Sequence, residues 1–210
     1  RPRTRSIYSD LGFILLGLLA EKRGGRSLAE QFDTLASRLE VPLSFEWSGA
    51  AKTLAAPTTP LDDDLRRGRQ LAGDVHDSYA AALGGIAGHA GLFGTAAGVA
   101  AFARLVLRAA RGHVVPEPLS PASVARFTRE SAVPGSSRAL GWDTMRPTSS
   151  CGIRMSPAAI GHVGFTGTSL WIDPPRDRYF VLLANRACNG GTLEQMRAVR
   201  RAFHDALHEL

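Results

Sequence analysis

Leu11, Ile14, Leu15, Leu18 and Leu19 recur at three- and four-residue intervals after Tyr8-Ser9-Asp10, and the run closes on Lys22-Arg23-Gly24-Gly25. That spacing predicts an amphipathic helix, with cations and glycine where a C-terminus favours them. Ser27, followed by Glu30 at the reciprocal capping position, opens a second helix that ends near Leu39, ahead of Pro42. Thr95 caps a third, with Val99, Phe102, Ala103, Val106 and Leu107 on one face, and Ser120-Pro121 opens a fourth that reaches about Glu130. Residues 42–77 are rich in Pro, Thr, Ala and Asp and predict a long ordered surface excursion or lid. Residues 80–93 are too rich in glycine for a stable helix and too apolar for an exposed loop, so they should pack tightly beneath another element.

After Pro134 the pattern changes to short runs punctuated by Gly and Pro. Residues 139–143, 160–166, 168–173 and 179–185 predict strands, with Asp173-Pro174-Pro175-Arg176-Asp177 as the turn between the last two. Residues 193–210 predict a closing helix with Met196, Val199, Phe203, Ala206 and Leu207 on one face, lying across that sheet. A mainly helical region over residues 1–135, then an antiparallel meander and one helix over 136–210, define an α+β class rather than an alternating βαβ fold.

With 210 residues and 44% apolar side chains, the chain buries roughly 70% of its unfolded surface and needs neither metal nor disulfide to hold a core. Its longest apolar run, Leu11 to Ala20, lies between Asp10 and Glu21. That is half of the about 20 residues a spanning helix takes, so no transmembrane segment is expected. The formal charge of +6 raises nucleic acid as a partner, but the basic residues, nearly all Arg, are scattered and lack interleaved aromatics to stack bases. They read as a solvated surface, and no nucleic-acid partner is expected. Cys151 and Cys188 match no metal-ligand spacing and are expected as free thiols, with no cofactor. The first residue is Arg1 and no signal sequence opens the chain.

Four segments, taken in order, carry a resemblance. They are Tyr8-Ser9-Asp10 ahead of a helix, the stretch from Gly85 to Thr95, the stretch from Gly161 to Pro174 that begins Gly-His-Val-Gly-Phe-Thr-Gly, and Leu182-Leu-Ala-Asn-Arg186. Together with the terminal helix they resemble the serine β-lactamase, penicillin-binding protein and esterase superfamily, in its class C β-lactamase-like form. The resemblance implies a Ser-x-x-Lys nucleophile, a Tyr-x-Asn motif and a Lys-Thr-Gly or His-x-Gly motif on an edge strand. Only the last two have counterparts. Lys22 and Lys52 are the sole lysines, and Leu19 and Gly49 stand three places before them, so the 210 residues contain no Ser-x-x-Lys. The expectation is a domain incomplete at its N-terminus, with the serine upstream of Arg1.

On this resemblance Tyr8 is the phenol that exchanges protons with nucleophile and leaving group. A phenol of ordinary pKa near 10 needs a nearby cation to act as a base at neutral pH, and the family's lysine supplies one. Tyr8 and Asp10 are two apart in what should be extended chain, so both side chains would face one side; the alternative reading makes Asp10 the helix N-cap. His162 would orient the proton relay or meet a substrate anion. Gly164 would let substrate lie against the strand, and the Phe165 N–H would be one of two oxyanion donors, the other coming from the absent serine, with Tyr8 and His162 converging on one pocket. Val163 and Asp10 replace a hydroxyl and an amide of the family pattern, and neither donates to a substrate carboxylate or carbonyl. The implied partner is a small-molecule ester, amide or β-lactam, with a substrate lacking the carboxylate fitting better.

His76-Asp77 and His89 suggest structural hydrogen bonding, His89 as a buried imidazole satisfied by backbone, because no third metal ligand is spaced nearby. No Gly-x-Ser-x-Gly elbow and no phosphate-binding glycine loop occurs. The rival readings are a catalytically silent member of the same superfamily used as a binding module and a basic nucleic-acid-binding domain.

Overall fold

The computed structural model describes residues 1, 4–46, 49–188 and 190–209. Arg3 of the N-terminal basic group and Leu210, the expected end of the closing helix, lie outside the described residues. The chain divides into two compact units, Tyr8–Gly98 with Ala187–Gly190, and Val99–Arg186 with Arg1–Ile7 and Gly191–Leu210.

In the first unit, α1 (Asp10–Gly24) and α2 (Leu28–Leu39) form a helical pair. The Ser27–Glu30 capping box is complete, and the bonds that the exposed Glu30 carboxyl accepts from the Ser27 hydroxyl and N–H hold it below its ordinary pKa. The turn between the helices is tied by Gln31, whose Nε2 donates to the carbonyls of Ala20 (3.1 Å) and Arg26 (2.8 Å). β1 (Leu43–Ser44) pairs with β2 (Phe93–Gly94), a short ribbon that the flanking Pro and Gly residues concealed in the sequence. The excursion after β1 carries a 3-10 turn at Gly49–Leu54 and an isolated bridge between Thr58 and Leu71. A short helix, α3 (Ser78–Ala82), then begins under the Asp77 cap and runs into the first residues of the 80–93 stretch read as non-helical.

The amphipathic reading of α1 is corrected. Leu11, Phe13, Leu15, Leu16, Leu18 and Leu19 are all exposed, and Gly17 is the buried residue of the helix. A Cβ on Gly17 would lie 3.1 Å from Gly88 N, and one on Gly88 would run into the carbonyl oxygen of Phe13. Helix backbone therefore meets loop backbone, which only glycines on both sides permit. The leucine spacing marks a helix but not its packing face. The expectation that residues 80–93 pack beneath another element holds, and that element is α1.

The second unit is a four-stranded antiparallel sheet in the order β3 (Asp143–Thr144), β4 (Ile160–Val163), β5 (Ser169–Asp173) and β6 (Arg178–Leu182). Successive side chains of a strand face opposite sides. Ile160 and Ile172 pack with Ala103, Val106 and Leu107 of α4 (Ala96–Ala110) and Val124 of α5 (Pro121–Thr128). Trp171 and Phe180 face the other way, with Cys151, Met155 and Ala159. α6 (Leu193–Leu207) lies on this second face, as expected, through Leu207 and His204.

The helix caps read from sequence are present, with Thr95 Oγ1 accepting from Gly98 N at 3.2 Å and Ser120 Oγ from Ser123 N at 3.3 Å. Two details differ. The segment 139–143 is mostly a turn, Ala139 N donating to Trp142 O at 2.9 Å with Gly141 at φ 80°, so β3 begins only at Asp143. The buried residues of α6 are Met196, Arg200 and His204, whereas Val199 and Ala206 of the expected face are exposed.

Candidate active site

Tyr8 stands immediately before α1 and is 62% exposed. Ser9, in extended conformation, takes the N-cap position without a side-chain cap bond, and Asp10 is already the first helical residue. This corrects both readings of Asp10, as cap and as the second residue of an extended run. Its carboxylate sits in the first turn, where the helix dipole favours negative charge.

In the other unit, His162, Gly164 and Phe165 lie together at the end of β4. β3 pairs with β4 only at Ile160 and Gly161, so His162 and Val163 run past the β3 ladder on an otherwise inner strand. The expected edge strand is thus an edge only over its last two residues. Nη1 of Arg138 lies 3.3 Å from Nε2 of His162. A guanidinium only donates, so Nε2 accepts and the ring proton belongs on Nδ1. An imidazolium would set two donors against each other, which disfavours the reading of His162 as a cation for a substrate anion.

The β4–β5 turn, residues 164–168, is held closely. Gly164 N donates to Thr168 O at 2.8 Å, and a Cβ on Gly164 would strike Thr168 Oγ1, so the absent side chain has a packing cause within the turn itself. Arg186 donates through Nε to Phe165 O at 2.7 Å and through its backbone N–H to Thr166 O at 2.7 Å, and its guanidinium lies 4.1 Å from the centre of the Phe165 ring. Arg200, 4% exposed, donates through Nη2 to Gly164 O at 2.6 Å and Thr168 O at 2.9 Å.

The first unit also holds the histidines set aside from catalysis. His76 Nε2 lies 3.0 Å from Thr59 O. His89 Nε2 lies 2.8 Å from Asp77 Oδ1, which also accepts from Ala80 N at 2.8 Å to cap α3. The partner of His89 is thus a side-chain carboxylate rather than the backbone expected. Among the described residues no group of three or more His, Cys, Asp or Glu side chains is placed to hold a metal, and no helix is long and apolar enough to cross a membrane. Cys151 is buried, and desolvation pushes its thiol up to about 12, so it is no nucleophile at neutral pH.

A β-lactamase family model matches residues 1–204. The chain belongs to the β-lactamase family. A Salmonella gallinarum protein named D-alanyl-D-alanine carboxypeptidase is 31% identical over 207 residues, an alignment covering 89% of this chain and 46% of that protein. The chain thus spans about half the length of the curated relatives it matches. A β-lactamase from Mycobacterium bovis superposes with a TM-score of 0.64 at 20% identity, over 99% of this chain and 65% of that one. Simvastatin synthase from Aspergillus terreus superposes with a TM-score of 0.68 at 15% identity, over 99% and 56%. At those identities the likeness concerns the fold, a mixed helical and antiparallel-sheet architecture.

Sequence reasoning missed three arginines in this β-lactamase-family chain: Arg138 on His162, and Arg186 and Arg200 on the β4–β5 turn. Arg186 was visible as the end of the Leu-Leu-Ala-Asn-Arg segment, though without a role. Nothing local marked the other two.

One buried group of the sheet unit makes a prediction about stability. His204, fully buried, has Nε2 3.0 Å from Ser169 Oγ, and its Nδ1 has no partner. Desolvation, with His208 and Arg200 acting in the same direction and Asp205 against them, brings its pKa down from 6.5 to about 4. Above pH 6.5 the ring is neutral in both folded and unfolded chains. As pH falls below that value the unfolded chain takes up the proton first, and stability is lost until about pH 4. The expected slope is up to about 1.4 kcal/mol per pH unit in that window. Urea midpoints of the wild type and His204→Gln, measured from pH 7.5 to 4.5, check it; identical slopes would show that His204 contributes nothing.

Proposed function

We propose that the protein to which this chain belongs is a serine hydrolase acting through an acyl-enzyme on an ester, amide or β-lactam. The supporting observation is the sequence His162-Val163-Gly164 at the C-terminal end of β4, running past β3 into a turn anchored at its carbonyls. In this reading Tyr8 carries the proton between nucleophile and leaving group. His162, held as a neutral ring by Arg138, orients that relay. The Phe165 N–H donates to the developing oxyanion, an interaction worth about 3 kcal/mol in the transition state. The second donor and the nucleophile come from polypeptide outside these 210 residues, which contain no Ser-x-x-Lys. Val163 and the Asp10 carboxylate favour a substrate without a carboxylate at the recognised end, that is, a neutral ester or amide.

The test is active-site labelling. A fluorescent fluorophosphonate and a fluorescent penicillin are applied to the complete protein and to the 210-residue chain. The expected result is one labelled serine in the complete protein and none in the shorter chain. Labelling of a serine within the 210 residues would refute the division of the site. A complete protein that neither labels nor turns over esters, amides or β-lactams would favour a binding module on the same fold.

A further inference from the structure

The two arginines on the β4–β5 turn have no role in the reading above, and both are placed unusually. Arg200 is buried on the inner face of α6, although a helix on a sheet normally turns apolar side chains inward. Its guanidinium meets two backbone carbonyls, and its Nε is buried without a partner. Among the described residues neither Arg200 nor Arg186 forms an ion pair with a carboxylate.

We infer that Arg200 is the positioning residue for the oxyanion donor, acting through the peptide group between Gly164 and Phe165. This rests on the oxyanion role proposed for the Phe165 N–H. The Gly164 carbonyl, which receives Nη2 of Arg200 at 2.6 Å, and the Phe165 N–H belong to the same peptide unit. That unit is planar and trans, so its C=O and N–H point in opposite directions. Holding the carbonyl toward α6 therefore holds the N–H away from it. The bond to a cation also draws electron density toward the carbonyl oxygen and makes the N–H a stronger donor, the cooperativity expected of linked hydrogen bonds in a low-dielectric setting.

The second bond of Arg200, to Thr168 O, closes the same turn from its other end, while Arg186 holds the next carbonyl, that of Phe165. Both carbonyls flanking the donor are thus fixed before substrate arrives. A donor that needs no reorientation during the reaction is the condition for oxyanion stabilisation. Two guanidiniums without a carboxylate partner add positive potential where negative charge develops.

Arg200→Met and Arg200→Lys in the complete protein test this, with p-nitrophenyl butyrate as substrate and Arg197→Met, an exposed change on the same helix, as control. The expected result for Arg200→Met is a fall in kcat of about 10²-fold with little change in KM. Arg200→Lys, which keeps the charge but reaches one carbonyl, falls between the variant and wild type, and the control matches wild type. In the 210-residue chain, the backbone amide resonance of Phe165 should shift in both Arg200 variants. Unchanged kcat in a folded variant, or an unmoved Phe165 amide, overturns the inference. If Arg200→Met does not fold, the Lys variant decides on the same two readouts. If the wild-type complete protein shows no turnover, the proposed function fails, and the Phe165 amide alone then judges whether Arg200 sets that peptide.

Discussion

Tyr8→Phe in the complete protein should lower kcat by about 10²- to 10⁴-fold, the range for loss of a general acid or base, while KM stays within a few-fold. The substitution removes one oxygen and leaves the ring. Because Tyr8 is 62% exposed, the fold should tolerate the change with a stability loss under about 0.5 kcal/mol. The two effects separate cleanly when steady-state kinetics and a urea titration are run on one preparation. Serine labelling by the fluorophosphonate should also slow, since in the proposed reading the phenol would assist formation of the covalent bond as well as its breakdown. A variant retaining kcat within about tenfold of wild type would fall below that range and remove Tyr8 from the proton path.

Trp171→Ala should destabilise the sheet unit by about 3–5 kcal/mol, as expected for an indole deleted from a core. Trp171 is 1% exposed and packs with Cys151, Met155, Ala159 and Phe180 on the face covered by α6. Its Nε1–H is buried without a hydrogen-bond partner. Trp171→Phe therefore loses packing volume but also removes an unsatisfied donor, and should cost distinctly less than the alanine variant. Denaturant unfolding followed by far-ultraviolet circular dichroism measures both. An alanine variant within about 1 kcal/mol of wild type would mean that the neighbouring side chains collapse into the space.

The parts of this molecule legible in its sequence are those governed by neighbours along the chain. Ser27 with Glu30 and Ser120 with Pro121 are local devices, so the starts of α2 and α5 could be named from residue types alone. The meander was legible because the apolar runs were short and Gly and Pro fell between them. The packing of α1 was not, because its contact is made by Gly17 and Gly88, residues with no side chain to signal an interface. On α6, a reading that places apolar residues inward passes over Arg200 and His204. Arg200 finds two carbonyls of the β4–β5 turn there and His204 the Ser169 hydroxyl, partners brought near only by the fold, while Arg200 Nε and His204 Nδ1 stay unpartnered.

The candidate site shows the same division. Tyr8, His162, Gly164 and Phe165 could be named because they sit in recognisable short patterns. Arg138 could not, since its hydrogen bond to His162 crosses from the turn before β3 to the end of β4. That contact sets a guanidinium donor against Nε2, which favours a ring that accepts there. Asp10 moved for a local reason: the helix starts one residue earlier than its use as a cap would require.

The crossing of α1 with the loop at Gly88 bears on how this family member can be altered. Where main chain rests on main chain, no rotamer can absorb an added atom, and one segment shifts only by carrying the other along. The placement of α1, and of Tyr8 ahead of it, is therefore tied to a stretch of sequence some seventy residues away. Efforts to move that phenol by redesigning α1 would have to keep Gly17 and leave Gly88 in place.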